Sequence, residues 1–376
     1  MSSGLVTSRR NRRTPYTECV ESLGVSGFSI VNHTLLPKSF ARSVEEDYWH
    51  LKEHVQLWDV GCQRQVELRG PDAALLAQKM TPRDLSAMTP GQCYYTPVID
   101  NHAGLLNDPV LLKRASDWFW FSIADSDLLL WAEALALGMN LAVEVREPDV
   151  WPLAVQGPRA EDLVARVFGD DIRSVRYFSF LECDFHSRQL VVARSGYSKQ
   201  GGYEIYLDDS PLGITLWDTL WEAGADLQVA PGCPNLIERI EAGLLSYGNE
   251  MTRENNPLEI NLDRFCHLER EIDYIGRSAL EAIAAQGPSQ RMRGLLIDGT
   301  PCPPCGKPWP VLVGDIKVGQ VTSAIWSPAF RQNVGLSLID KDHWHPGTPV
   351  TVLLPDGHEL DAVIASLPFT VSSSTP

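Results

Sequence analysis

The sequence predicts an α+β protein: two related α+β units in tandem, then an all-β domain. Three observations lead there. Gly70-Pro71-x-Ala73 recurs as Gly157-Pro158-x-Ala160, each time between a strand-like run and a helix-like one. Gly-Pro suits that junction, because proline is favoured in the first turn of a helix. From about Arg291 the texture changes to short Val, Leu and Ile runs cut by Gly and Pro, which predicts a small β-barrel. The length of 376 residues also exceeds what one typical core supports.

Composition narrows the function classes. With 44% hydrophobic and 21% charged residues the chain reads as an ordinary soluble protein. Its longest apolar runs, such as Leu128-Leu129-Leu130-Trp131, fall far short of the ~20 residues that span a bilayer. A net charge of −16 argues against nucleic acid or an anionic membrane as partner, while allowing a small ligand held by a few local cations. Eight cysteines are present, and only Cys302-Pro303-Pro304-Cys305 has a motif spacing, so reduced thiols of a cytoplasmic protein are expected. No apolar signal segment follows Met1. Arg9, Arg10, Arg12 and Arg13 read as a basic arm lying on an acidic body, with a transit peptide as the alternative.

In chain order, Ser43-Val44-Glu45-Glu46 has capping-box spacing, and Val44, Tyr48, Leu51, Val55 and Trp58 recur at helical intervals. That predicts an amphipathic helix of about four turns reaching Trp58. Gln65 to Leu68 is a strand entering Gly70-Pro71 and a short helix through Leu75, Leu76 and Met80. Gln92 to Leu112 reads as a hairpin-like pair turning near Asn101 to Gly104. Within it Asn107-Asp108 sits among apolar residues, so the acid either caps a turn or faces a cavity. Trp118 to Ser122 is an aromatic strand ending on a polar face. Asn235 is a candidate N-cap for a helix running to Gly248, with Ile237, Ile240, Leu244 and Tyr247 apolar and Arg239 able to reach inward.

The stretch Leu190 to Leu207 carries the sharpest candidate site. An apolar run breaks into the loop Arg194 to Gly202 and resumes as Tyr203-Glu204-Ile205-Tyr206-Leu207. Side chains alternate along a strand, so Glu204 and Tyr206 share a face, and Gly202 leaves that face open beside them. This is either a floor for a flat polar ligand or the wet face of an edge strand. The chain lacks GxGxxG before a helix, GxxxxGK[ST], HExxH and GxSxG. His50 with His54, and His343 with His345, lack a third ligand nearby, so no metal site is expected.

Whole segments resemble a known family. Trp58-Asp59-Val60, Leu106-Asn107-Asp108-Pro109, Gln156-Gly157-Pro158, Arg194-Ser195-Gly196, Gly202 to Tyr206, Glu238-Arg239, Met251 to Asn255 and Gly319-Gln320-Val321 are among those that carry it. Taken in order over nearly the whole chain, they are similar to the folate-dependent aminomethyltransferases (glycine cleavage T-protein superfamily), and within it to the dimethylsulfoniopropionate demethylases. The resemblance implies a three-domain fold around a central folate-binding hole. Residues 1–60 with 150–285 would form the first and central α+β units, interleaved, 61–149 the second α+β unit and 286–376 the barrel. The sequence allows a homodimer.

The same resemblance implies methyl transfer from dimethylsulfoniopropionate to N5 of tetrahydrofolate. Glu204 would bind the pterin's N–H donors, and Tyr206 would sit near N5 and the methyl. Tyr95, Asp108 and Ser122 match positions lining the folate or substrate pocket, and Arg239 matches the superfamily's helix arginine. Tyr197 and Trp151 are candidates for the onium cation, which aromatic faces attract, and Lys199 for the substrate carboxylate. The chain also departs from its relatives. T-proteins carry two acids where Asn107-Asp108 stands, and the demethylases tend to have Trp at Tyr197 and a small residue at Trp151. The other readings are a folate-dependent demethylase of another onium, amine or ether, and a folate-binding protein without turnover. The iron–sulfur-assembly relatives of that last kind carry a Lys-Gly-Cys motif where this chain has Arg264-Phe265-Cys266.

Overall fold

Ser43 starts a helix as its neighbours require. Its hydroxyl accepts Glu46 N at 3.2 Å while Glu46 Oε2 accepts Ser43 N at 2.7 Å, so two N–H groups are satisfied reciprocally. The structure is a computed structural model that describes residues 8–370. One unit runs to Met80 and takes in Leu85–Thr96 and Asn107–Asn235; a second takes in Thr81–Asp84, Pro97–Leu106 and the chain from Leu236.

In the first unit, α1 (Val44–Glu53) is shorter than its periodicity suggests. Trp58 is not on it. Val55 to Asp59 form strand β1 (Val55–Asp59), in which all five residues are buried. A run that is buried on both faces fits the interior of a sheet better than one side of a helix. Then come β2 (Gln65–Arg69), α2 (Ala73–Lys79), β3 (Cys93–Tyr95), β4 (Val110–Ala115), β5 (Trp118–Ser122), α3 (Leu128–Gly138) and β6 (Glu144–Arg146). They are followed by β7 (Trp151–Gln156), α4 (Ala160–Phe168), β8 (Phe180–Phe185), β9 (Arg188–Ala193), β10 (Gly202–Leu207), α5 (Gly213–Ala223) and β11 (Val229–Gly232).

The strands form one sheet ordered β6-β2-β5-β4-β3 and another ordered β8-β9-β10-β7-β1-β11. If the strand before each Gly-Pro is counted as first, β2 to β5 and β7 to β10 both lie in the order first, fourth, third, second. The repeated phrase therefore marks a repeated topology. Gly70 and Gly157, at φ +138° and +121°, make the two turns. A Cβ would lie 2.7 Å from Ala142 O at the first and 2.3 Å from His54 O at the second, so glycine is required at both. Ala73 and Ala160 are buried at matching places.

The two copies join through like edges. Cys93 N donates to Phe178 O at 2.9 Å and Phe180 N to Gly91 O at 2.8 Å, and Gln92 bridges Ser179 antiparallel. One face of the six-stranded sheet packs Leu153, Val155, Ile205 and Leu207 with Leu163 and Val164 of α4 and Leu216 and Leu220 of α5. Its other face brings Val191, Ala193 and Tyr206 against Cys93, Leu112 and Trp120 of the five-stranded sheet. The basic arm rests on acids as expected: Arg12 pairs with Glu147 at 2.5 Å and Arg13 with Glu21 at 2.6 Å.

In the second unit, α6 (Leu236–Glu241) stops well before Gly248. The chain reverses at Gly243, at φ +66°, where Leu244 N donates back to Arg239 O at 2.8 Å. The barrel strands are β12 (Gln290–Ile297), β13 (Trp309–Val313), β14 (Ile316–Ser327), β15 (Gln332–Asp340), β16 (Pro349–Leu353) and β17 (Glu359–Ala365). They close in the order β12-β15-β14-β13-β16-β17 around Leu295, Trp309, Val311, Val321, Ile339, Val352 and Ile364. The change of texture near Arg291 is thus the first barrel strand.

The glycine turns can be tested directly. Gly157→Ala combines a left-handed φ with a backbone clash and is expected to cost about 1–3 kcal/mol. Gly138→Ala has no atom within 4 Å of the added methyl and is expected to be neutral or stabilising by up to about 1 kcal/mol. Urea denaturation of the two variants beside wild type measures both, and equal effects would contradict this account of the turn.

Candidate active site

Glu204 lies mid-strand on β10, 4% exposed, directly opposite Ala154 of β7 and Ala193 of β9. Small neighbours on both sides leave the carboxylate unshielded by bulky side chains. Its Oε2 accepts Ser195 Oγ at 2.5 Å, and Oε1 accepts no hydrogen bond from the protein. Burial raises the Glu204 pKa above its ordinary 4.5, and the Ser195 hydrogen bond opposes the rise. Gly202 does not open this face. A Cβ there would meet Val155 O at 2.4 Å and the Gln156 amide nitrogen at 2.5 Å, so the space beside it is filled by Gln156. Gln156 in turn pins the loop: its Nε2 donates to Ser195 O at 3.2 Å and its Oε1 accepts Ser198 Oγ at 2.8 Å.

Tyr206, 1% exposed, stands two residues on, with its ring 6.2 Å from the Trp120 ring at 38°. Its hydroxyl has no hydrogen-bond partner of good geometry. Burial pushes this phenol well above 10, the charges of Glu204 and Cys93 add to the rise, and the nearby Ser122 hydroxyl opposes it. Tyr206 is therefore a neutral donor across the working pH range. Ser122 Oγ accepts Gln65 Nε2 at 3.0 Å from the facing strand.

Across the five-stranded sheet, Tyr95 donates its hydroxyl to Asp108 Oδ2 at 2.7 Å. The preceding Asn107 has a different task. Its Nδ2 donates to Ala124 O at 3.0 Å and Ser126 Oγ at 2.8 Å, and its Oδ1 accepts Ala124 N at 3.0 Å. It clamps the segment after β5, work an aspartate could not do with acceptors alone.

The structure thus joins Glu204 with Ser195, Tyr206 with Ser122, and Tyr95 with Asp108. Tyr197 packs against Trp58 and Ala154, on the Glu204 face of the sheet. Lys199 is exposed on the same loop. Trp151 is placed elsewhere. It pairs with Leu207 across β7 and β10 and packs with the Leu153 and Val155 side of the sheet, away from Glu204. Its indole donates to Asp149 at 2.6 Å and Arg12 lies 5.2 Å over its ring, so a cation already occupies it. Arg239 does turn inward, in the second unit, where it meets Glu250 at 3.0 Å and Ser323 Oγ at 2.7 Å. Sequence reasoning missed Ser195, Trp120 and Trp58 as site neighbours. Ser195 sits on a loop where no periodicity applies, and the two tryptophans read as ordinary core.

A buried carboxylate with one open oxygen, beside a neutral phenol, can bind a flat ring bearing adjacent N–H groups. Among the described residues no group of three or more His, Cys, Asp or Glu side chains could hold a metal ion. No helix among them is long and apolar enough to cross a membrane.

Comparison with known proteins adds independent findings. The GCVT N-terminal domain matches residues 17–270, and the glycine cleavage T-protein C-terminal barrel domain matches residues 290–370. The chain is similar to the dimethylsulfoniopropionate demethylase of Ruegeria pomeroyi, with 52% identity over 94% of this chain and 96% of that protein. It is 29% identical to the aminomethyltransferase of Bacillus pumilus, over 95% of this chain and 98% of that one. The glycine cleavage system aminomethyltransferase T of Bartonella henselae shares the fold, with a TM-score of 0.86 at 23% identity over 96% of this chain and 98% of that one.

The Ser195 bond makes a prediction about pH. An acid whose folded pKa is raised binds its proton more tightly when folded, so stability falls as pH rises from 4.5 through the folded value. Ser195→Ala removes the opposing bond and raises that value further. The variant should be destabilised by about 1.5–3 kcal/mol at pH 8 and by clearly less at pH 4. Urea titrations at the two pH values check this, and a pH-independent difference would contradict it.

Proposed function

We propose that this chain, which belongs to the glycine cleavage T-protein (aminomethyltransferase) family, is a tetrahydrofolate-dependent demethylase. It transfers a methyl group from dimethylsulfoniopropionate to N5 of tetrahydrofolate, giving methylthiopropionate, 5-methyltetrahydrofolate and the proton that N5 gives up to solvent. The observation that carries the choice of reaction is the far greater likeness to a dimethylsulfoniopropionate demethylase than to the aminomethyltransferases, over almost the full length of both chains. The Asn107-Asp108 pair supports it. With Asn107 committed to clamping the chain, one acid remains, and a sulfonium has no amine for a second acid to serve.

Two observations support tetrahydrofolate as the ligand: Glu204 Oε1 accepts no hydrogen bond from the protein, and the Tyr206 hydroxyl has none of good geometry. Tetrahydrofolate supplies the nucleophilic nitrogen that accepts the methyl. Glu204 accepts the pterin's N–H donors through Oε1 while Ser195 holds Oε2 and fixes the carboxylate's plane. Tyr206, kept neutral by burial, orients the ring at the methyl end without exchanging a proton. The departing group is a neutral thioether, so no acid is needed.

Asp108, aimed by Tyr95, supplies negative charge opposite the sulfonium. Tyr197, packed with Trp58, offers it an aromatic wall. Lys199, on the same loop, is the candidate partner for the substrate's carboxylate. The protein's task is then positioning, since methyl carbon and acceptor must be held ~3–3.5 Å apart and in line. All eight cysteines are free thiols, which accords with a cytoplasmic enzyme.

The test is a product assay with tetrahydrofolate and either dimethylsulfoniopropionate or glycine betaine. Wild type is expected to form 5-methyltetrahydrofolate with the sulfonium and far less with betaine. Glu204→Gln should weaken tetrahydrofolate binding roughly tenfold to a hundredfold, the ~1.5–3 kcal/mol of a charged hydrogen bond. Tyr206→Phe should lower kcat with little change in that binding. Binding without turnover for any onium donor would leave a folate-binding protein instead, and full activity in both variants would refute the site.

A further inference from the structure

We propose that Glu67 is a positioning residue for Tyr206, acting through the Trp120 ring. The inference rests on the reading of Tyr206 given above and deepens it.

Glu67 lies on β2 and is 1% exposed, yet three donors converge on it. Oε2 accepts the indole N–H of Trp118 and that of Trp120, each at 2.7 Å, and Oε1 accepts Arg146 Nε at 2.7 Å. These contacts follow from register. Arg146 and Glu67 are directly opposite across β6 and β2, Glu67 and Trp120 across β2 and β5, and the row continues through Leu112 to Cys93. Cys93 and Trp120 are both packed against Tyr206.

The Trp120 ring is held from several sides. Its N–H is tied to Glu67, and the Arg114 guanidinium lies 4.2 Å over it, itself fixed at 2.6 Å by Glu182 from the other sheet. Tyr206 meets the same ring. The Tyr206 hydroxyl has no hydrogen bond of good geometry, and the Ser122 hydroxyl nearby is the polar group that acts on it, so polar contacts hold the tilt of the phenol only loosely. Its placement falls to packing with Cys93, Leu112, Val191 and Ala193 and to ring contact, and Trp120 is the aromatic ring that pairs with it among the described residues. Whatever orients Trp120 therefore bears directly on the orientation of Tyr206. An indole has a single donor, and here that donor is spent on one oxygen of Glu67.

Trp118 provides an internal control. Its N–H sits on the same oxygen, its ring also lies under Arg114, at 4.3 Å, and it meets the Trp120 ring edge-on at 5.9 Å, but it forms no ring pair with Tyr206 among the described residues. A merely structural carboxylate would treat the two tryptophans alike.

The experiment compares Glu67→Gln, Trp120→Phe, Trp118→Phe and the double variant Glu67→Gln/Trp120→Phe in the full chain. The first readout does not need turnover. The near-ultraviolet circular dichroism of each background minus that of the same background with Tyr206→Phe isolates the signal of the Tyr206 ring in its surroundings. That difference spectrum should collapse in Glu67→Gln and Trp120→Phe and persist in Trp118→Phe.

The second readout is methyl transfer. Glu67→Gln and Trp120→Phe should each lower kcat roughly tenfold or more with KM little changed, and the double variant should be no worse than either. Trp118→Phe should keep wild-type kcat, whatever its melting temperature. A Tyr206 difference spectrum unchanged in Glu67→Gln, or equal kcat losses from the two tryptophan variants, would overturn the proposal. A wild type that turns over no donor would refute the proposed reaction, and the difference spectra would still decide the role of Glu67.

Discussion

The structure of the first unit depends on one short stretch of backbone pairing, where β3 meets the residues ahead of β8. Three residues on each side suffice, from Gly91 to Cys93 and from Phe178 to Phe180. Both strands are the second of their meander, so like edge meets like edge, as in a two-fold dimer contained within one chain. The pairing closes two strand edges that would otherwise be exposed. It also brings the inner faces of the two sheets together, with Glu204 and Tyr206 on one and Tyr95 and Ser122 on the other. Phe178 adopts φ +58° there, an uncommon conformation for a bulky residue, which shows how firmly the junction is held.

On those faces the protein keeps a carboxylate out of water with a single hydroxyl to support it. Taking such a charge out of water costs several kcal/mol, and one charged hydrogen bond returns about 1.5–3 kcal/mol. The Ser195 bond therefore leaves part of the cost in place. A ligand that brings N–H groups to Oε1 relieves it, so affinity and the local instability of the free protein have one origin. Ala154 and Ala193 matter for the same reason, because larger residues beside Glu204 would cover the oxygen that must stay open.

Much of this was legible in the sequence, and the failures have physical causes. The Gly-Pro phrase identified the repeat because a left-handed turn with a backbone neighbour 2.3 Å away admits no other residue. Strand alternation put Glu204 and Tyr206 on one face, as found. The same alternation places Trp151 with Leu153 and Val155, against the helices, so its proposed role at the onium contradicted its own period. The helix expected through Trp58 failed because Val55 and Trp58 fit a 3.6-residue period by chance over a short span, while burial on both faces selected a strand. Gly202 looked like an opening because a sequence does not show that Gln156 lies in the gap. Pairs such as Tyr95 with Asp108, and Glu67 with Trp120, arise from register between strands distant in the chain, which no local pattern encodes.

The most direct test of the central claim is a crystal structure of the protein with tetrahydrofolate bound. The account predicts the pterin between the two sheets, its N–H groups on Glu204 Oε1, Ser195 still on Oε2, and N5 near the Tyr206 hydroxyl. A pterin bound elsewhere, or a Glu204 carboxylate still bonded to Ser195 alone, would contradict it.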